Sequence, residues 1–408
     1  MHLRFTTAGE SHGRALVAVV EGLPAGLPVS ADGVDRELVR RMQGYGRGAR
    51  MKIERDHVEW LAGIRAGETL GSPVAMLIPN RDWPNWEDVM AHEALDPGEL
   101  RRRRVSRPRP GHADLAGILK YDRLDARDIL ERASARETTA RVAAGALARR
   151  LLEEFGVEIG SHVVSLGGVV VPPPAELPTP LNEVADRSEV RILDRSLEPE
   201  IVRRIDEAKR AGDTLGGEVE VVARGVVVGL GSHVSWDRKL DGRLAGMLMS
   251  IPAVKAVEIG LGVEAARRPG SAVHDGIEAG TDHPPTGGDP RGGFRRRSNN
   301  AGGLEGGITT GEPVVARLSM KPISTLMSPL PTVDLVSGEA ANAQSERSDV
   351  TAVPAMGVIA EALVAIVLAD AMLEKFGGDS LDEMRRNYAG YVAALGSRWR
   401  ARREAAEG

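Results

Sequence analysis

Cysteine is absent from the 408 residues. That excludes a disulfide framework, a thiol nucleophile and any Cys-ligated zinc or iron–sulfur centre. A secreted, disulfide-stapled protein goes with them, and a reducing cytoplasm is the compartment that fits. Aromatics are scarce, at 5 Trp, 4 Tyr and 4 Phe, and the formal net charge is −5. A dedicated nucleic-acid binder relies on a basic face or on stacking rings, so this composition argues against one. Long uninterrupted apolar runs are missing too. The longest, Ala355–Leu373, is broken by Glu361 and Asp370, where a membrane span needs about 20 apolar residues. The N-terminal MHLRFTTAGESHG has no charged stretch leading into an apolar one, so no secretory signal is read.

What is present points to a small anionic partner. Seven of the 53 basic residues are Lys, leaving 46 Arg. Guanidinium is the side chain suited to bidentate recognition of phosphate and carboxylate. Glycine is abundant at 48 residues, and a hydrophobic content of 42% allows a sizeable core.

Alternating or apolar runs bounded by Gly and Pro predict strands over Leu16–Glu21, His57–Ala62, Val74–Ile78, His162–Val171, Glu218–Val228 and Glu312–Ser319. Helical periodicity predicts helices over Asp32–Gln43, Arg136–Phe155, Pro199–Ala211 and Ala355–Phe376. The last is apolar on nearly every side and belongs in an interior. Ser134 followed by Glu137 gives the Arg136 helix a capping-box start. Residues 268–303 read as a long polar loop. The mixture predicts an α+β fold, one domain over 1–396 with a charged tail at 397–408.

Five segments and a short polar turn could carry chemistry. Gly9-Glu10-Ser11-His12-Gly13 flanks a histidine with glycines, exposing an imidazole able to exchange protons near neutral pH. Pro110-Gly111-His112-Ala113-Asp114 does the same behind Arg101–Arg104, Arg107 and Arg109. Arg132–Arg141 places two arginines around a capped helix start, where free N–H groups attract anions. Ser298–Gly311 is a glycine-rich cradle without the GxxxxGK[ST] of a P-loop. Arg347-Ser348-Asp349 sets a carboxylate before the buried helix, and Lys321-Pro322-Ile323-Ser324-Thr325 is the turn rich in donors. The nine histidines show no metal-ligand spacing. Singly, each segment reads as readily as a turn, a cap or a solvated patch. Together they form the inventory of an enzyme using proton transfer on a multiply anionic small molecule.

GESHG at 9–13, GHAD at 111–114, RASARETTARVAAGA at 132–146, SNNAGGLEGGITTG at 298–311 and RSDVTAVPA at 347–355 resemble, in order and spacing, the chorismate synthase family, from about residue 3 to 376. The resemblance implies elimination of phosphate from 5-enolpyruvylshikimate 3-phosphate to give chorismate, the last step of the shikimate pathway, with reduced FMN required. It implies a β-α-β sandwich, with helices between antiparallel sheets, and a homotetramer.

Motif by motif, the resemblance makes His12 the acid for the departing phosphate, His112 the partner of the reduced flavin and Asp349 a carboxylate assisting deprotonation. Ser11 and Ser134 become supporting donors. Substrate falls to Arg41, Arg47, Arg109, Arg136 and Arg347; Arg41 and Arg47 are alternatively implied as contacts for NADPH, an indirect reductant. Flavin falls to Arg132, Ala133, Ser134, Pro252, Ala253, Gly306, Lys321–Thr325 and Arg347. Ala133 stands where the family commonly has Ser, and Pro252 where it has Asn. Two other classes stay in view: a non-catalytic flavin- or anion-binding protein on the same scaffold, and an RNA-binding module built on Arg101–Arg109.

Overall fold

A computed structural model describes residues 2–48, 55–94, 96, 98, 103–279, 289–346 and 348–395. Two antiparallel sheets enclose helices. The first has strand order Arg4–Ala8, Ala15–Glu21, Val74–Pro79, Glu59–Ala62. Thr6 lies opposite Val19, and Val17 opposite Leu77. The second has order Val254–Ile259, Val314–Met320, Gly217–Arg224, Glu158–Leu166, Val169–Val170. Ala316 faces Val221, which faces Ser161.

Alternation decides which face is covered. Leu16, Ala18 and Val20 are buried, as are Val219, Val221 and Ala223, and Val314, Ala316 and Leu318. These stripes are the inner faces, at the period of two that a strand imposes, with Val222 buried as well on the other face of its strand. The Thr138–Glu153 helix packs on the first sheet and Val353–Phe376 on the second, and the two helices pack on each other. One continuous hydrophobic cluster joins both sheets through them. The expected α+β sandwich is therefore observed.

Gly145 sets the helix–helix distance. A Cβ there would lie 2.4 Å from the Cβ of Ala362 and 2.6 Å from its carbonyl oxygen. Alanine gains up to about 1 kcal/mol of helix propensity over glycine, but forcing two backbones apart in a packed core costs about 1–3 kcal/mol. Gly145→Ala should therefore lower the urea midpoint, and a midpoint at or above the parent's would contradict this packing.

Several sequence expectations shift. The strand foreseen over His162–Val171 is a hairpin, Glu158–Leu166 and Val169–Val170, because Gly167 and Gly168 both take positive φ and turn the chain. The capping box does not form. Ser134 caps a three-residue 3-10 turn, Ala135–Glu137, by accepting from the N–H of Arg136. Glu137 binds Thr7 and Arg141 instead, and the α-helix begins at Thr138. The polar stretch 268–303 holds 3-10 turns and a small hairpin, Ile277–Ala279 with Phe294–Arg296, with 280–288 outside the described residues. The charged tail 397–408 also lies outside them. Helices Asp114–Tyr121, Arg127–Ala133, Leu240–Met249 and Leu381–Ala394 were not foreseen. Helix Val353–Phe376 is long and apolar enough to cross a membrane, but it is 94% buried within the fold over its most apolar stretch.

Candidate active site

His12 sits in the hairpin loop between the first two strands. Gly9 starts that loop at φ +107°, and a Cβ there would lie 2.4 Å from the carbonyl oxygen of Ala15, so only glycine lets the chain turn so close to its returning strand. Asn80, one residue past the third strand, holds the loop by donating to the carbonyls of Glu10 and Gly13. The His12 Nδ1 is 2.9 Å from both carboxylate oxygens of Glu131, and the His12 backbone N–H donates to Oε2 at 2.8 Å. Glu131 is buried. Burial pushes its carboxyl pKa up, but the bond to His12 and the charges of His12 and Arg127 outweigh that and hold it below the usual range.

His112 occupies a second, similar arrangement. Its Nδ1 makes a short hydrogen bond with Asp114, which opens the next helix. Arg109 grips the same carboxylate through Nε at 2.8 Å and Nη2 at 3.1 Å. Asp114 is fully buried, yet His112 and Arg109 overcome the burial and push its pKa well down. Both histidines thus stand on buried, ionised carboxylates, the arrangement that fixes an imidazole's orientation.

The two imidazoles line one cavity of about 860 Å³. Ser11, Ala133 and Ser134 line it from the hairpin and helix side, with the Ser134 hydroxyl 3.2 Å from that of Ser11. Pro252 and Ala253, and Lys321, Ile323, Ser324 and Thr325, line it from the edge of the second sheet; Arg109 and Asp349 complete the set. Pro322 is not among the lining residues. Ala253 holds φ +69°, a strained backbone for a residue with a Cβ, and accepts from the Lys321 N–H. Burial, then Lys255, pushes the Lys321 ammonium down.

Other foreseen residues stand back from the cavity. Arg41 is buried, donating to the Ala135 carbonyl at 2.7 Å and to Thr138, with Ala135 on the cavity wall. Its Nη1 has no hydrogen-bond partner among the described residues. Burial and the charge of Arg47 push its pKa down to about 9. Arg47 pairs with Asp349, and Asp349 accepts from the Gly48 N–H at 2.6 Å. Arg136 is held by both oxygens of Asp56 and by Asn80. Arg132 turns away from the cavity to bind Thr7 and the Gly9 carbonyl. Gly306 tops the Leu304–Thr309 hairpin beside His233, away from the cavity. Arg347 lies outside the described residues.

Sequence reasoning missed Trp86 and Glu131. The Trp86 ring stacks on His12 with centroids 3.8 Å apart, and Arg103 lies over Trp86 at 4.1 Å. No local pattern separates Trp86 from Trp83, three residues before it in the same segment. Glu131 had one faint signal, its i,i+4 spacing from Arg127, which does form an ion pair. Of the arginines that suggested RNA, Arg101 and Arg102 lie outside the described residues, and the other four are engaged within the chain: Arg103 on Trp86, Arg104 to the Leu124 carbonyl, Arg107 to Gln344 and Arg109 to Asp114.

Two imidazoles backed by buried carboxylates line one cavity, with Arg109 on its wall and Arg41, Arg47 and Arg136 behind it, which is the make-up of an enzyme's active site. The chain belongs to the chorismate synthase family, lyases of the shikimate pathway of aromatic biosynthesis: a family model described as chorismate synthase matches residues 3–373. The chorismate synthase of Pelobacter propionicus is 55% identical over 393 residues, covering 96% of this chain and 99% of the relative. That of Streptomyces coelicolor is 57% identical over 399 residues, covering 96% and 98%. A solved structure, described as a crystal structure of chorismate synthase, superposes with a TM-score of 0.77 at 44% identity, covering 97% of this chain and 99% of that one.

Proposed function

We propose that the chain, a carbon–oxygen lyase acting on phosphates, eliminates phosphate from 5-enolpyruvylshikimate 3-phosphate in an anti-1,4 sense to give chorismate, with reduced FMN as cofactor. The observation that carries this is the convergence of His12, His112 and Asp349 on one cavity walled by cationic and donor groups.

The residues present suit a flavin. The cavity has apolar walls in Ala133, Pro252, Ala253 and Ile323, with donors at Lys321, Ser324 and Thr325, which is what a flat ring with a phosphorylated tail requires. Reduced flavin, when bound, supplies the transient electron that makes loss of phosphate feasible. The chain supplies the rest. His12, braced by Glu131, gives a proton to the departing phosphate oxygen. His112, braced by Asp114, would face the ring and stabilise its anionic form. Asp349, on the cavity wall, assists deprotonation, and Ser11 and Ser134 donate hydrogen bonds.

Arg41, with a buried unsatisfied nitrogen, forms with Arg47, Arg109 and Arg136 a reservoir of positive charge for the phosphate and two carboxylates of the substrate. NADPH is the indirect source of reducing equivalents, and Arg41 and Arg47 are its alternative contacts. Arg132 and Gly306, which stand outside this cavity, and Arg347, outside the described residues, are the remaining flavin contacts that the family resemblance implies. The enzyme works in the cytoplasm as a homotetramer.

The test is anaerobic. Protein, chemically reduced FMN and substrate should release phosphate while chorismate absorbance grows. Folded protein that releases none removes the reading in favour of a non-catalytic anion binder. Such a binder would have no use for two imidazoles held on buried carboxylates.

A further inference from the structure

We propose that Glu131 is the positioning residue for His12: it keeps a hydrogen on Nδ1 in both protonation states of the ring, so that Nε2 is the nitrogen that takes up the second proton and, in the imidazolium, donates it. This rests on the reading of His12 as the proton donor.

The geometry leaves Glu131 little freedom. Its Oε2 accepts from the His12 backbone N–H at 2.8 Å, and its Oε1 accepts from Arg127 Nη1 at 2.8 Å. Both oxygens also lie 2.9 Å from His12 Nδ1. A carboxylate is an acceptor only, so the ring nitrogen it faces must carry the hydrogen. The ring plane is fixed separately. Trp86 stacks on it at 23° between planes, and Trp86 is itself anchored by its Nε1–H to Asp82 at 3.0 Å. One contact decides which nitrogen is protonated, and the other decides how the ring is turned.

A purely structural ion pair would need only Arg127. Glu131 instead meets the backbone and the side chain of one residue at once, and that residue sits in a hairpin loop outside the core. Glu131 is buried and the His12 side chain is 15% exposed, so little water competes for Nδ1.

The experiment reads the tautomer directly. In the unaltered full-length protein, labelled with ¹⁵N-histidine, the His12 resonance is assigned by its loss in His12→Asn and recorded at mildly alkaline pH. The expected state is Nδ1 protonated. An Nε2–H signal, or an even mixture, in the unaltered protein overturns the proposal. Glu131→Gln then tests its consequence. The glutamine amide must set its NH₂ against one of two donors, the His12 N–H or Arg127, so the tautomer preference should disappear. The turnover number should fall on the order of 10–100-fold, with KM little changed. A folded Glu131→Gln protein that keeps the Nδ1–H signal and full turnover overturns the proposal. Full activity in His12→Ala would instead remove the proton-donor reading, while leaving the tautomer result standing.

Discussion

Replacing His12 with alanine is expected to lower kcat on the order of 10²–10⁴-fold, the range contributed by a positioned general acid. Stability should change far less. Glu131 keeps two of its partners in the variant, because Arg127 Nη1 and the backbone N–H of residue 12 still donate to it. The buried charge therefore remains compensated, and the main structural loss is the ring stack with Trp86, about 0.5–1.5 kcal/mol. The two effects separate cleanly. Anaerobic phosphate release under single-turnover conditions should be slow, while the urea midpoint moves little.

His112→Ala follows the same logic, since Arg109 still satisfies Asp114. Because both side chains are proposed to act on charge that develops during reaction, kcat and kcat/KM should fall together. Parent-like turnover in both folded variants would take proton transfer away from these imidazoles.

The layers of the sandwich were legible where apolar runs stand between turn residues. Leu16–Glu21 and Val74–Ile78 run apolar beside Gly22, Pro73 and Pro79, and strands Ala15–Glu21 and Val74–Pro79 contain them. The apolar run predicted over Ala355–Phe376 became helix Val353–Phe376, with nearly every residue buried. Short helices were not legible. Arg127–Ala133 spans seven residues, too few for a helical face to repeat, and neither it nor Asp114–Tyr121 has a side-chain cap at its start.

In the candidate site, motifs pointed to His12, His112 and Asp349 because glycines and charges bracket them. What stands behind them was hidden by distance along the chain. Glu131 is 119 residues from His12, and Asp56 is 80 from Arg136. The first pair depends on how a hairpin loop meets a helix that local pattern did not reveal. The arginine roles were blurred for another reason. A guanidinium serves a carboxylate of its own fold as readily as a ligand's, so Arg136 on Asp56 and Arg109 on Asp114 look alike from sequence.

The largest stability effect is expected at Glu361, which interrupts the most apolar helix of the chain. Its side chain is fully buried and receives Arg40, Arg149 and Arg191, with Ser161 Oγ at 2.6 Å and Asn182 Nδ2 at 3.0 Å. These partners come from both sides of the helix layer, so one carboxylate ties helix Ala31–Met42 and helix Thr138–Glu153 to strand Glu158–Leu166 and the segment around Arg191. Removing it leaves neighbouring guanidiniums with unbalanced charge in a low-dielectric interior. Breaking a buried pair in this way costs about 3–5 kcal/mol, a large share of the roughly 5–15 kcal/mol that holds a domain folded.

Glu361→Ala should therefore unfold at a much lower urea concentration, or fail to accumulate. Glu361→Gln, which keeps the shape, isolates the charge. Burial alone would raise the Glu361 pKa above its ordinary 4.5, but Arg40, Arg191 and Arg149 outweigh it and drive it far below. A carboxyl depressed in the folded state contributes stability that is fully present above the unfolded value and is lost as pH falls through the folded one. The parent's urea midpoint should accordingly drop as pH is lowered below 4.5, and Glu361→Gln should show a shallower drop from a lower start. Equal pH slopes in parent and Glu361→Gln would mean that the ion cluster contributes nothing to acid sensitivity. A Glu361→Ala midpoint equal to the parent's would mean that these guanidiniums find other partners and that the carboxylate does not tie the helix layer together.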